Sequence, residues 1–303
     1  MAEMKIGIIG FDTSHVPAFT KLLNDDNDPF HVSGGRVVAG FPSFSPDIET
    51  SASRTEGYKK ELIEKWNIKI VSSVEELLPL VDAVLLESND GRRHIKEARP
   101  VIAAKKPLFI DKPMTASYSE AKQIFDMAAK KGCPVFSSSS LRFDYNISRA
   151  RQDLSEDEIV GCDAFSPATQ EKTNPGLFWY GIHGVEILYT FMGKGCKKLF
   201  SKKMEGTDFV TGVWEDGRIG TDRGTRKGMH SYGATVFGAK KITQVVFSTE
   251  VPLYSQLLKQ IVPFFQTGKP PVAPEETLEI IRFIEAALLS EKEGREVLLS
   301  EIK

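Results

Sequence analysis

The chain has 303 residues, 41% of them hydrophobic and 26% charged, and a formal net charge of −2 at pH 7. A single domain has roughly 100–200 residues, so this length predicts two domains. The balanced charge offers no basic surface for nucleic acid and no polybasic face for a membrane. No signal peptide or membrane-spanning run is evident, and three widely spaced cysteines predict reduced thiols in a cytoplasmic protein, without a disulfide framework or a metal site.

The first half alternates short apolar runs with helical segments, an order that predicts βαβ units around a parallel sheet. The predicted strands include Lys5 to Ile9, Arg36 to Gly40, Asn67 to Val71, Val81 to Glu87 and Cys133 to Ser137. The predicted helices are Val16 to Leu23, Glu56 to Trp66, Val74 to Leu80, Arg93 to Lys105 and Tyr118 to Lys131. Residues 1–139 are therefore expected to form a Rossmann-type, doubly wound α/β domain.

From about Ser140 the pattern changes to strands separated by glycine-containing turns, such as Asp216-Gly217 and Gly238-Ala239. Two amphipathic helices follow, around Tyr254 to Phe265 and Leu278 to Leu288. Residues 140–303 are expected to form an α+β domain with a mainly antiparallel open sheet. We assign to it the binding of a small-molecule substrate.

The turn after the first strand is the first candidate for a cofactor site. A dinucleotide fingerprint has three glycines there, so that the backbone approaches a pyrophosphate at a helix N-terminus. This chain has Gly10 at the first position, but Asp12 at the second and His15 at the third. A polar turn that caps the helix is the competing interpretation, because Asp, Thr and Ser are favoured N-caps. The candidate phosphate-binding residues are Gly10, Phe11, Asp12, Thr13, Ser14 and His15.

The segment after the second strand usually supplies an acidic residue for the ribose hydroxyls of NAD. Here it reads Phe41-Pro42-Ser43, with Asp47 and Glu49 further along. Ser43, Ser45 and Arg54 would suit the 2′-phosphate of NADP instead. The choice between NAD and NADP stays open.

The stretch from Val81 to Phe143 carries a run of motifs: Val-Asp-Ala-Val, then Ser88-Asn89 with His94, then Asp111-Lys112-Pro113, then Arg142-Phe143. In order and spacing the run resembles the Gfo/Idh/MocA family of oxidoreductases, with Asp111 where that family has Glu. Further along, Gly181 to Glu186 resembles the family's Gly-x-His-x-x-Asp helix. The resemblance covers nearly the whole chain and is weakest in the glycine turn.

The resemblance implies that Lys112 and His183 are the catalytic pair and that Glu186 stands for the Asp in the family's second domain. It also places the active site around Asp111, Lys112 and Pro113, where the two domains meet. General chemistry agrees, because oxidation of an alcohol needs a group that accepts the hydroxyl proton. The remaining residues that it assigns to the cofactor are Ser88, Asn89, His94, Asp111, Lys112 and Arg142.

The leading hypothesis is thus an oxidoreductase that uses NAD or NADP to transfer a hydride to or from a sugar, polyol or related hydroxylated compound. One alternative is a non-redox ligand-binding or regulatory protein whose dinucleotide site is degraded, because fold alone does not fix function. Another is a lyase or hydrolase with tightly bound NAD. The resemblance also implies a homo-oligomer that associates through the sheet of the second domain.

Overall fold

The computed structural model describes residues 3–303, which form two compact units. The first unit contains 3–115, 120–138 and 254–273, and the second contains 116–119, 139–253 and 274–303. The predicted division at 139/140 therefore does not anticipate that 254–273 return to the first unit. An amphipathic pattern predicts that one face of a helix is buried, but it does not predict which domain the helix packs against.

The sheet of the first unit has six strands that all run parallel, in the order β3-β2-β1-β4-β5-β6. Its order changes direction between β1 and β4, which is where doubly wound sheets bind ligands. The predicted Rossmann-type sheet is confirmed. The strands are β1 (Met4–Ile9), β2 (Gly35–Phe41), β3 (Lys69–Ile70), β4 (Ala83–Leu86), β5 (Leu108–Ile110) and β6 (Val135–Ser137).

Helices cover this parallel sheet, as its apolar strands require. The last of them, α8, packs in the core of the first unit, where the rings of Phe136 and Phe264 lie 4.7 Å apart. The helices are α1 (His15–Asn24), α2 (Glu49–Trp66), α3 (Val74–Leu77), α4 (Gly91–Ala103), α5 (Tyr118–Lys131) and α8 (Leu253–Thr267). The starts of α5 and α8, up to Ser119 and at Leu253, are grouped with the second unit.

The second unit is built on a seven-stranded sheet in the order β12-β11-β7-β10-β9-β8-β13. Its pairs are antiparallel except for β7 with β10, which confirms the predicted mainly antiparallel sheet. The strands are β7 (Ile159–Pro167), β8 (Cys196–Met204), β9 (Thr207–Trp214), β10 (Ile219–Thr225), β11 (Gly233–Gly238), β12 (Ile242–Val246) and β13 (Val297–Leu298).

Helix α7 (Ile182–Met192) is buried along its whole length in this unit. The unit also contains the partly exposed helices α6 (Tyr145–Asp153) and α9 (Pro274–Glu293). Several apolar side chains of the sheet strands stay exposed, among them Ile219 and Ile242. The predicted homo-oligomer stays a prediction. Among residues 3–303, no helix is long and apolar enough to cross a bilayer.

Candidate functional site

The carboxyl ends of three adjacent strands in the first unit carry the candidate site. Backbone hydrogen bonds continue past the strands, from Glu87 N–H to the Ile9 carbonyl at 2.7 Å and from Asp111 N–H to the Leu86 carbonyl at 2.9 Å. Glu87 and Asp111 are thus neighbours, one residue beyond β4 and β5. Gly10 follows β1 at the same edge of the sheet.

Gly10 meets the requirement of the first fingerprint position. Its φ is +86°, and a Cβ atom there would lie 2.3 Å from the backbone nitrogen of Ser88. Only glycine combines that backbone conformation with such a close approach. Helix α1 then starts at His15, and Ser14 at its N-cap is exposed and makes no side-chain capping bond. The His15 and Val16 N–H groups bond back to Thr13, and Pro17 has no N–H, so the exposed Ser14 side chain is the polar group that this N-terminus presents.

Asp12 is fully buried at the second fingerprint position. Its two carboxylate oxygens accept hydrogen bonds from the backbone N–H of Asn89 at 3.0 Å and from the Ser51 hydroxyl at 2.5 Å. Burial raises the pKa of the Asp12 carboxyl above its usual value, and these two donors act against the rise. The Asp12 side chain is therefore a structural bridge between the loops after β1 and β4 and the start of α2.

A polar network also joins the loop after β2 to the β4–α4 region. The Ser45 hydroxyl donates to Asp90 at 2.6 Å, and the Ser43 hydroxyl donates to Glu97. Glu97 also accepts from the Ser88 hydroxyl at 2.6 Å. These bonds occupy Ser43 and Ser45, the residues that the sequence offered to a 2′-phosphate.

His94 is buried completely and acts as a link within the first unit. Its Nδ1 lies 3.0 Å from the Met114 carbonyl, and its Nε2 lies 2.5 Å from the Ser88 carbonyl. Both ring nitrogens are thus occupied by the backbone. His94 is therefore better placed to shape the wall of the site than to contact a cofactor directly, the role that the family resemblance implied.

His15, at the third fingerprint position, contacts both acidic residues at the strand ends. Its Nδ1 lies 3.1 Å from Glu87 Oε2 and 3.0 Å from Asp111 Oδ2. Burial raises the pKa of Glu87 to about 7. Burial also opposes the charges of His15 and Asp111, but their attraction raises the pKa of His15 well above its usual value and lowers that of Asp111. Sequence reasoning missed Glu87, although its position after a buried strand marks it.

Lys112 follows Asp111 at the same edge and is only 8% exposed. Its peptide bond to Pro113 is cis. The charge of Lys112 acts on both Glu87 and Asp111. A buried lysine beside two buried carboxylates differs from the solvated surface lysine that would be the ordinary alternative.

The second unit holds the other predicted catalytic residues, His183 and Glu186 on α7. His183 Nδ1 lies 2.6 Å from the Ser139 hydroxyl, and Glu186 accepts from the Ser139 backbone N–H at 3.1 Å. Glu186 therefore acts on the imidazole through Ser139, a residue that the sequence motifs did not single out. The ring of Tyr180 lies edge-on to His183 at 5.1 Å.

Arg142 belongs to the second unit, where it is paired with two carboxylates. Its Nε lies 2.8 Å from Glu186, and its Nη1 lies 2.7 Å from Glu276. The Arg142 side chain is buried, so these ion pairs hold α7 and α9 beside it. The predicted contact of Arg142 with the cofactor stays a prediction.

The match to a known protein family lies almost entirely in the first unit. Residues 4–139 match the Gfo/Idh/MocA family, described as an oxidoreductase family with an NAD-binding Rossmann fold. The similarity to that family spans somewhat less than half of the 303 residues. The match confirms the resemblance found in the motifs, the expectation of an NAD(P)-dependent enzyme and the cofactor class, NAD or NADP. No curated protein matches the chain.

Solved structures of similar fold cover both units. GenD2 from gentamicin A biosynthesis, in complex with NAD, is 17% identical with a TM-score of 0.79, covering 98% of this chain and 97% of its own. Scyllo-inositol dehydrogenase from Lactobacillus casei, with NAD(H) and scyllo-inositol, is 14% identical with a TM-score of 0.79, covering 98% and 99%. Myo-inositol 2-dehydrogenase from Lactobacillus plantarum gives the same four values. At these identities the likeness shows the fold.

Proposed function

We propose that this chain transfers a hydride between a nicotinamide dinucleotide and a sugar, polyol or related hydroxylated small molecule, with Lys112 and His183 in proton transfer. The observation that carries the proposal is the buried Lys112 at the carboxyl end of β5, in a domain matched to an NAD-binding oxidoreductase family. The polyols bound or acted on by the inositol dehydrogenases of similar fold support the substrate class.

In the first unit, the turn between β1 and α1 is the candidate binding site for the phosphate groups of the dinucleotide. Gly10 lets the backbone approach closely, and Thr13 and Ser14 precede the N-terminus of α1. The Asp12 carboxylate would repel a pyrophosphate, but it accepts hydrogen bonds from Ser51 and Asn89 instead. Thr13 and Ser14, at the N-terminus of α1, are therefore the side chains that would contact the pyrophosphate.

The bound nicotinamide would supply the position that accepts or donates the hydride. Lys112 would accept the hydroxyl proton when the substrate carbon is oxidised, and it would return that proton to the carbonyl oxygen in the reverse direction. Asp111, and Glu87 where it is ionised, would stabilise the ammonium form of Lys112 once it has accepted the proton.

His183 would be the second proton carrier. Its Nδ1 contact with Ser139 and the edge of the Tyr180 ring fix the orientation of the imidazole. Glu186 and Arg142 hold Ser139 and α7 in turn, so they would position the imidazole without touching the substrate. The role of His183 rests on its place in the Gly-x-His motif.

Binding of the cofactor is the decisive first experiment. We expect NADH or NADPH to raise the melting temperature by mass action and to enhance nicotinamide fluorescence on the purified protein. A panel of inositols, aldoses and their lactones is then screened for a change in absorbance at 340 nm. Failure of both NAD(H) and NADP(H) to bind a folded protein at millimolar concentration would exclude the proposal.

A second candidate is a ligand-binding protein without redox activity, and one observation favours it. The direct bonds Ser45–Asp90, Ser43–Glu97 and Ser51–Asp12 link the loops that usually receive the adenosine half of a dinucleotide. This candidate predicts that polyols or sugars stabilise the protein while neither dinucleotide does. The same melting experiment, with ligand and cofactor added separately, distinguishes the two.

A further inference from the structure

Three residues with metal-binding groups meet in the interior of the first unit. His15, Glu87 and Asp111 are 5%, 0% and 0% exposed. One nitrogen or oxygen atom from each lies within 4.8 Å of the other two. Local sequence spacing predicted no metal site. The site arises because β1, β4 and β5 are neighbours in the sheet although they are distant in the chain.

The carboxylates of this cluster are buried and only partly hydrogen-bonded. Glu87 Oε1 has no hydrogen-bond partner among residues 3–303, whereas Asp111 accepts from His15 and from the backbone N–H of Lys112. His15 Nδ1 carries at most one proton, yet it faces Glu87 Oε2 and Asp111 Oδ2 at once. A buried acceptor without a donor raises the free energy of the folded protein, so the unpaired Glu87 oxygen calls for an explanation.

The spacing of the three groups matches the coordination shell of a small cation. Adjacent ligands at about 2.1 Å from an ion lie about 3.0 Å apart in an octahedral shell and about 3.4 Å apart in a tetrahedral one. His15 Nδ1 lies 3.0 Å from Asp111 Oδ2 and 3.1 Å from Glu87 Oε2. An imidazole with two carboxylates is a donor set for Mn²⁺, Fe²⁺, Co²⁺ or Zn²⁺ rather than for Ca²⁺.

The imidazole is held in place by aromatic rings. It stacks on Phe19 at a centroid distance of 5.2 Å and meets the edge of Tyr254 at 4.5 Å. Glu87 and Asp111 sit on hydrogen-bonded backbone at the strand ends, as described above. A site whose ligands are already oriented loses little conformational entropy when an ion binds.

We propose that His15, Glu87 and Asp111 bind one divalent first-row transition metal ion, with the ion taking the place of the proton that His15 Nδ1 shares with the two carboxylates. Three protein ligands leave coordination positions for water or for an oxygen of a small molecule. The charge of Lys112 acts on the same carboxylates and competes with the ion for them. The proposal does not depend on hydride transfer.

The test measures metal binding directly on the full-length protein. The protein is stripped with a chelator and titrated with Zn²⁺, Mn²⁺ or Co²⁺ at pH 7.5 in a calorimeter, and the absorption spectrum of the Co²⁺ form is recorded. We expect one ion per chain and Co²⁺ bands between 500 and 650 nm typical of nitrogen and oxygen ligands. Glu87→Gln and His15→Gln should each weaken binding by about tenfold or more.

His31→Gln is the matched control, because His31 lies apart from this cluster and contacts the Leu22 carbonyl and Asp26. It should bind the ion like the wild type. Circular dichroism and melting of the metal-free variants check that each remains folded, and Glu87→Gln preserves the side-chain volume if His15→Gln does not fold. No heat and no Co²⁺ spectrum with the wild type at millimolar metal would overturn the proposal, as would equal binding by folded Glu87→Gln.

Discussion

Asp222 on β10 offers a sharp test of how burial sets the charge of a carboxyl group. Its side chain is 0% exposed, and neither carboxylate oxygen has a hydrogen-bond partner among residues 3–303. Burial and the nearby charge of Asp208 raise the pKa of Asp222 well above its usual value. Asp222 is therefore protonated in the folded protein over a pH range in which it is ionised in the unfolded chain.

The sign of the effect on stability follows from proton binding. Above about pH 3.8 the unfolded chain loses the Asp222 proton while the folded protein keeps it. The free energy of unfolding therefore falls as pH rises, by at most about 1.4 kcal/mol per pH unit, until the pH passes the folded pKa. The contribution is complete below pH 3.8 and is lost progressively above it.

Asp222→Asn removes this titration with little change in volume. We expect the stability of the variant relative to the wild type to increase as pH rises above 5, by no more than the slope given above. The assay is chemical denaturation at four pH values, followed by the fluorescence of Trp214, which is buried in the same unit. Asp216→Asn is the control, because hydrogen bonds from Arg218 lower the pKa of the exposed Asp216 and reverse the sign. A pH-independent difference between Asp222→Asn and wild type would refute the reasoning.

Three further predictions follow. Lys112→Met should lower kcat by about 100-fold or more while NADH binding is kept, and Lys130→Met, at an exposed position on α5, should not; equal kcat values would remove Lys112 from proton transfer. Gly10→Ala should cost about 2–5 kcal/mol in denaturation because φ is +86° and Ser88 is in the way, whereas Gly57→Ala, with open space around it, should stabilise α2 slightly. Arg142→Met should cost about 3–5 kcal/mol, since it leaves Glu186 and Glu276 unpaired; an unchanged midpoint would contradict the ion pairs.

Local patterns predicted the first sheet well because each buried parallel strand is a short apolar run bounded by turns. Helix α2 starts at Glu49, about seven residues before the predicted start, since Ile48 at its N-cap provides no capping side chain. Strand β8 was not predicted, because its sequence Cys196–Met204 contains four lysines and lacks a regular apolar alternation. It forms a strand because it pairs with β9 and β13, and this pairing cannot be predicted from its own sequence.

Some residues of the candidate site could be predicted from the sequence and others could not. Lys112, His183 and Asp111 were predicted because they lie in motifs that resemble a known family. Glu87 and Ser139 belong to no such motif, and only the alignment of strand ends and the fold of the second unit reveal their contacts with His15 and His183. Contacts between residues distant in sequence depend on register, which composition and periodicity do not specify.

The departures from the glycine fingerprint are compensated inside the first unit, which changes what reversing them should do. If the dinucleotide site were degraded, as one alternative from the sequence holds, Asp12→Gly would be expected to restore it. The structure shows that the Asp12 carboxylate satisfies the Asn89 N–H and the Ser51 hydroxyl, both buried. Loss of that acceptor leaves two donors unpaired at about 1–3 kcal/mol each. We therefore expect Asp12→Gly to unfold at lower denaturant concentration without tighter NADH binding, and tighter binding by an equally stable variant would show that the Asp12 bridge is dispensable.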